Sequence, residues 1–284
     1  MKLFWKIIIA VAIIGAIICA AGFVAGAKLS MYRDGMGWHL SDGRSESFKE
    51  TFEKITELDI NSNNGIVEVK AGNEYSIEVI YYEPKPSVSC ENGILIFNGA
   101  NHFFNFGFGL NTDKVIITLP ENAKLSKATI DNDNGRIMVA NLNAATIHIE
   151  NDNGKIELQS ITADSLNIVS RNGAMAAHNI TADSLDMRNN NGEILFGNIV
   201  AGTGMIRVNN GQIRGSYITG NHNIKVNNGR IDLVVADLND YYITSSVRNG
   251  STNIGGQRTN VFGEKNAKYS FDLQVNNGSV KVSQ

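Results

Sequence analysis

The chain has 284 residues, with 25 Lys and Arg against 28 Asp and Glu for a formal net charge of −3, and it carries 28 Gly, only 3 Pro and 2 Cys. A slightly acidic chain without a basic cluster lacks the electrostatic footprint of a nucleic-acid binder, and it removes the simplest case for holding anionic polymers by charge alone. Two cysteines, one inside a membrane-like stretch and one beyond it, exclude a disulfide framework.

Residues 1–27 differ in kind from the rest. Lys2 and Lys6 precede an uncharged run of 21 apolar or small residues, Ile7 to Ala27. As a helix such a run crosses a bilayer core of about 30 Å. It is longer than the apolar stretch of a secretory signal peptide, so residues 1–27 are expected to be an uncleaved anchor; cleavage after Ala25-Gly26-Ala27 and secretion is the alternative. Lys2 and Lys6 put the N-terminus in the cytoplasm and everything after Lys28 outside. Cys19 falls inside the span and Cys90 stands alone beyond it, where it reads as an inert, half-buried small hydrophobe. Without Lys2 and Lys6 the exported part keeps 23 Lys and Arg against 28 Asp and Glu, a net charge near −5.

Residues 28–50 are expected to be a juxtamembrane tether, with Ser30 to Arg44 rich in Gly, Ser and Asp and with Trp38 placed to sit at the headgroup level. Ser45 to Thr56 is ambiguous. Phe48, Phe52 and Ile55 fit one helical face, whereas Leu58 and Ile60 begin a strand alternation.

From residue 51 to 284 the texture is that of a repeat. Asn134-Gly135, Asn153-Gly154, Asn172-Gly173, Asn191-Gly192 and Asn210-Gly211 follow one another every 19 residues. After each glycine, inward apolar positions recur, as at Ile156, Leu158, Ile161, Ala163, Leu166 and Ile168. The steps of two keep side chains on one strand face; the steps of three, Leu158 to Ile161 and Ala163 to Leu166, mark corners where the chain turns while its inside stays inside. Asn-Gly then makes the third corner, because both residues tolerate the left-handed conformation. Stacked coils would also align the asparagines into side-chain ladders.

The fold class predicted is therefore all-β: a right-handed parallel β-helix, a solenoid of about 19-residue coils, preceded by one transmembrane helix. Alternating strands around Asn-Gly are also the signature of a two-residue hairpin, so an antiparallel hairpin meander is the alternative. Earlier copies at Asn64-Gly65 and Asn92-Gly93 and later ones at Gly229, Gly250 and Gly278 are less evenly spaced, with Gly255 to Lys268 expected to leave the stack as a loop. The last copy, Asn277-Gly278, stops near the C-terminus with no polar cap, which points to weak association through that end.

The phrases Leu58-x-Ile60, Asn64-Gly65-x-Val67-x-Val69 and Asp152-Asn153-Gly154-Lys155-Ile156-Glu157-Leu158 resemble the bacterial putative-adhesin β-repeat family, over roughly Phe52 to Gln284. The resemblance implies a β-solenoid on an exported or membrane-tethered protein. Some relatives belong to operons for cell-envelope stress responses, and no catalytic residues are established for the family in general.

Few residues suggest chemistry. Asp131-x-Asp133 and Asn151 to Gly154 look oxygen-rich but miss the calcium-loop spacing, with Leu142 where a bidentate Glu belongs. The histidines at 39, 102, 148, 178 and 222 share no zinc spacing, and His148 and His178 read as solvated outer residues. Glu157 and Glu193 lie outward in different coils without the matched partner that glycoside hydrolysis needs. No catalytic residue, cofactor or metal is expected. Asn101 to Leu110 departs from the repeat, and Phe103, Phe104, Phe106 and Phe108 form the one partner-contact candidate, either as an aromatic strand over the core or as an exposed loop tip.

The function expected is that of a membrane-anchored, extracytoplasmic binding or adhesion module without catalysis; an accessory to an envelope-stress response and a β-helix enzyme acting on a polysaccharide are the alternatives. Its partners are an unidentified envelope component or membrane protein and, through residues 7–27, the lipid bilayer.

Overall fold

Buried and exposed residues alternate along most of this chain, and the alternation breaks at fixed places, which is what bends a strand into coils. The computed structural model describes residues 2–24, 30–34, 37–41, 44–82, 84–99, 104–107 and 112–284. Its elements are helix α1 (Lys2–Val24) and strands β1 (Ser30–Asp34), β2 (Gly37–Ser41), β3 (Glu46–Phe52), β4 (Glu57–Gly72), β5 (Tyr75–Tyr81), β6 (Ser87–Glu91), β7 (Ile94–Asn98), β8 (Phe104–Gly107), β9 (Asp113–Pro120), β10 (Leu125–Val234), β11 (Tyr241–Ile254), β12 (Val261–Phe262) and β13 (Tyr269–Ser283).

The 110-residue β10 is a continuous ribbon folded into coils. Its first coil pairs in parallel with β4, setting Asn134 on Asn64 and Gly135 on Gly65. Its last coil pairs in parallel with β13, setting Gly229 beside Gly278. These parallel registers decide between the two expected folds in favour of stacked coils. The six inward positions expected in each coil, such as Ile156, Leu158, Ile161, Ala163, Leu166 and Ile168, are all buried. Cutting one of these Ile or Leu side chains to Ala typically costs about 2–5 kcal/mol, so the core is the main source of stability.

The first corner of each coil falls where the step from Leu158 to Ile161 puts it. Asn141, Ser160, Asn179, Asn198 and Tyr217 hold φ between 54° and 58°, again 19 residues apart. Ser160 thus sits between Leu158 and Ile161. The Asn-Gly corner is different: Gly192 has φ +143°, well beyond the left-handed helical value, and a Cβ there would lie 1.8 Å from the carbonyl oxygen of Gly173 in the coil below. Glycine is required at this column chiefly because neighbouring backbones touch. Beside it, Asn134, Asn153, Asn172, Asn191 and Asn210 each donate a side-chain N–H to the asparagine one coil back, at 2.9–3.0 Å.

Three features depart from the sequence reading. Asn92-Gly93 is not a coil corner. Both residues have positive φ, 53° and 80°, and they close an antiparallel hairpin between β6 and β7, as a type I′ turn does. The C-terminal copy is not the end of the stack either: β13 lies between β10 and β11, pairing in parallel with both. The outer coil is formed by β11, and residues 255–268 fold back onto it, with β12 pairing antiparallel to Ile243 and Thr244. Finally, in place of a flexible tether, β1 and β2 form an antiparallel hairpin, extended by β8 against β1.

At the other end of the stack, β7 lies in parallel on the first half of β4 and β9 on the second half, and β9, β5 and β3 continue as an antiparallel sheet. The ambiguous Ser45 to Thr56 thus contains a strand. Helix α1 occupies most of the expected anchor, and its 23 residues span about 35 Å at 1.5 Å per residue. Among the described residues no helix is long and apolar enough to cross a membrane. Of the expected span over residues 7–27, residues 7–24 are helical and residues 25–27 lie outside the described residues.

Candidate functional site

Stacking at a fixed period turns positions in the repeat into columns on the surface. Residues two, four and six places before each corner glycine point outward and form one lateral face. In the first three coils this face carries Asp59, Asp131, Asp133, Glu150 and Asp152; further along it carries Arg171, Arg188, Arg207, Lys225 and Arg248, with Asp186 and Asp272 among them, none of them buried. Net charge concealed this division, because the two signs nearly cancel over the chain while separating along the stack.

Where the two halves meet, the charges satisfy one another. Arg171 pairs with Asp152 and reaches Glu150 Oε1 at 3.4 Å. Arg188 pairs with Asp186 at 2.5 Å within its own coil. Such exposed pairs contribute roughly 0–1 kcal/mol each, so they orient side chains more than they hold the fold.

Beyond Arg188 the cations of this face have no ion-pair partner among the described residues. Among the described residues the side chains of Arg207 and Lys225, which follow each other in adjacent coils, make no hydrogen bond or ion pair. They line a groove of about 490 Å³ with Met205, Asn209, Asn223, Asn227 and Gln274. One wall is an amide ladder: Asn209 donates to Asn190, Asn227 to Asn209 and Asn276 to Asn227, at 2.9–3.0 Å. On the other side Asp272 accepts from the amides of Asn223 at 2.8 Å and Gln274 at 2.9 Å. The groove presents two free positive charges beside a row of fixed amides, a surface suited to an anionic, hydroxyl-bearing chain.

The acidic half contains a second grouping. Asp131, His148 and Glu150 bring one ligand-type atom each within 4.8 Å of one another. Burial pushes the Asp131 carboxyl above its usual range, opposed by His148 and reinforced by Glu150, Asp59 and Asp133. Elsewhere His222 is buried, its Nε2 3.0 Å from the Thr219 carbonyl oxygen, and burial holds its imidazole below the usual range. His178 remains on the outer surface. Glu157 is tied to Arg136 and Lys155, and Glu193 accepts from Gln212 at 2.9 Å. Cys90 is a free, partly buried thiol, pushed up by burial.

Of the aromatic candidates, Phe104 and Phe106 lie in β8, whose backbone pairs with β1, while Phe103 and Phe108 lie outside the described residues. The corner residues Asn134, Gly135, Asn153, Gly154, Asn172, Gly173, Asn191, Gly192, Asn210 and Gly211 form a single edge of the stack. The lateral groove was missed because the repeats were aligned on what stays constant. Tabulating the residues before each glycine coil by coil brings Arg188, Arg207 and Lys225 into one column.

A rigid stack of coils with a variable outer face defines a β-solenoid scaffold. The chain belongs to the Toastrack DUF4097 family, whose profile matches residues 55–283. It is similar in fold to a solved putative lipid binding protein from Parabacteroides distasonis, at 12% identity and a TM-score of 0.52 over 86% of this chain and 98% of that one. It is likewise similar to a solved putative adhesin from the same organism, at 13% identity and a TM-score of 0.50 over 85% of this chain and 98% of that one. A comparison with curated proteins found no match.

Proposed function

We propose that this protein is a membrane-anchored, extracytoplasmic binding module, without catalysis, that holds an acidic polymer of the cell envelope along its lateral face. The observation that carries the reading is the pair Arg207 and Lys225: two cations without partners among the described residues, in adjacent coils, over an amide-lined groove. An anion on a repeating polymer would meet the two cations, and the amide ladder would receive its hydroxyl or carbonyl groups. The similar solved structures are named for adhesion and for lipid binding, which agrees with a binding role.

Anchoring is supported by α1. Phe4, Trp5, Ile9, Val11, Ile13, Ile14, Ile17 and Ile18 are each more than half exposed, so the helix is apolar all round and uncovered by the rest of the chain. Such a helix is stable in hydrocarbon and costly in water. With residues 7–27 in the bilayer and Lys2 and Lys6 inside, the solenoid stands outside the cell.

The test is affinity for polygalacturonate, which carries carboxylates on a chain of sugar rings, and for poly(glycerol phosphate), whose acyclic chain is joined by phosphodiesters. The full chain in detergent is expected to bind at least one of them in a salt-dependent way, and Arg207→Gln with Lys225→Gln to weaken binding tenfold or more. Unchanged affinity in the double variant would exclude the groove.

A further inference from the structure

The acidic half of the same face carries a grouping that the polymer groove does not use. Asp131 and Glu150 are 19 residues apart and stand one above the other in adjacent coils, with His148 alternating onto the same face two residues before Glu150. Their ligand-type atoms lie within 4.8 Å of one another, and His148 Nε2 is 3.8 Å from Glu150 Oε2. The other Glu150 oxygen, Oε1, faces Arg171 at 3.4 Å, so one carboxylate oxygen is steadied while the other is turned toward the imidazole.

A second observation is independent of this proximity. Asp131 Oδ1, Thr129 Oγ1 and Asn167 Oδ1 are buried atoms with no hydrogen-bond partner. Thr129 stands one coil below His148 and Asn167 one coil above it. Buried polar oxygens are partnered in the great majority of folded proteins, so three unpartnered oxygens in the coils around one imidazole leave acceptor capacity that the fold itself does not fill. A cation satisfies such a set, and the Arg171 guanidinium is already committed to Asp152 and Glu150.

We propose that Asp131, His148 and Glu150 form a binding site for a divalent transition-metal ion. Imidazole with two carboxylates suits zinc, manganese or nickel and disfavours calcium and magnesium, which take all-oxygen shells. Bonds of 2.0–2.2 Å to a tetrahedral ion place donors about 3.3 Å apart, so side-chain rotations of about 1 Å complete the site. The remaining position is open toward solvent, where a carboxylate or phosphate of a bound polymer completes the shell. A metal here converts the acidic half of the face into a second anion contact and extends the footprint beyond Arg207 and Lys225.

The test is calorimetric titration of the full chain in detergent, free of any metal-binding tag, with zinc chloride and with magnesium chloride. Zinc is expected to bind saturably at one site and to raise the unfolding midpoint, and magnesium to do neither at the same concentrations. His148→Ala and Glu150→Gln are each expected to lower zinc affinity tenfold or more while leaving the metal-free midpoint unchanged, and His178→Ala to leave zinc binding intact. No saturable zinc binding, or equal affinity in His148→Ala, overturns the site.

Discussion

Asn277 donates its side-chain N–H to Asn228 Oδ1 at 2.8 Å, across 49 residues of sequence, and accepts in turn from Asn249 at 2.8 Å. The last asparagine of the chain is thus an interior rung of the ladder, and Asn249, which precedes it in sequence, is the outermost. Replacing an interior rung removes two bonds and replacing the end rung removes one. At about 1 kcal/mol per net hydrogen bond, Asn277→Ala is expected to cost about 2 kcal/mol and Asn249→Ala about 1, measured by urea unfolding. Equal costs would contradict the inserted position of β13.

The glycine column sets a stricter limit than the asparagines. A Cβ at Gly192 meets the Gly173 carbonyl oxygen at 1.8 Å, and backbone cannot rotate away as a side chain does. Gly192→Ala is therefore expected to destabilise by more than about 2 kcal/mol, from strain at a glycine-only φ and from separation of two coils. An unfolding midpoint close to wild type would show that the coils are not this close.

Tyr217 holds φ 54° where three of the other four coils place Asn, and it is 54% exposed, so its ring is weakly packed. Asparagine tolerates this conformation better than tyrosine. Tyr217→Asn is expected to stabilise by about 0.5–1 kcal/mol and to allow a rung on Asn198, which already donates to Asn179 at 3.0 Å. Thermal unfolding gives the sign.

Asp113 provides the pH-sensitive element. Burial pushes its carboxyl from 3.8 to about 6, opposed by the backbone N–H of Tyr82. The folded state favours the protonated form, so its contribution is fully present below pH 3.8 and is lost as pH rises through about 6. The gap corresponds to about 3 kcal/mol, reduced by partial exposure to on the order of 1 kcal/mol. Asp113→Asn, whose amide oxygen still accepts from Tyr82, is expected to be more stable than wild type at pH 7.5 and indistinguishable from it near pH 3.5.

The constant part of the repeat was open to sequence reading because it answers to local rules. Strand alternation buries Ile156 and Leu158, and the step to Ile161 leaves room for the left-handed residue at Ser160. Asn151 also follows the alternation inward from Ile147 and Ile149, yet its polarity hid it; buried, it donates to the Gly135 carbonyl oxygen at 3.1 Å and lines the inside of the corner. What escaped is non-local. Asn92-Gly93 reads like every other corner, and only its partner strand makes it a hairpin. The spacing from Gly250 to Gly278 does not say which coil lies outermost. The separation of charge is likewise invisible to a net count, since Asp131 and Arg207 are brought onto one face by stacking alone.

The central claim is that the lateral face around Arg207 and Lys225 is where this protein binds. Amide hydrogen exchange of the full chain, with and without saturating acidic polymer, tests it most directly. Added protection is expected in residues 205–209, 223–227 and 274–276, diminishing at high salt as the ionic contacts are screened. Protection confined to the aromatic segment 104–107, or absent from 205–227, would contradict it.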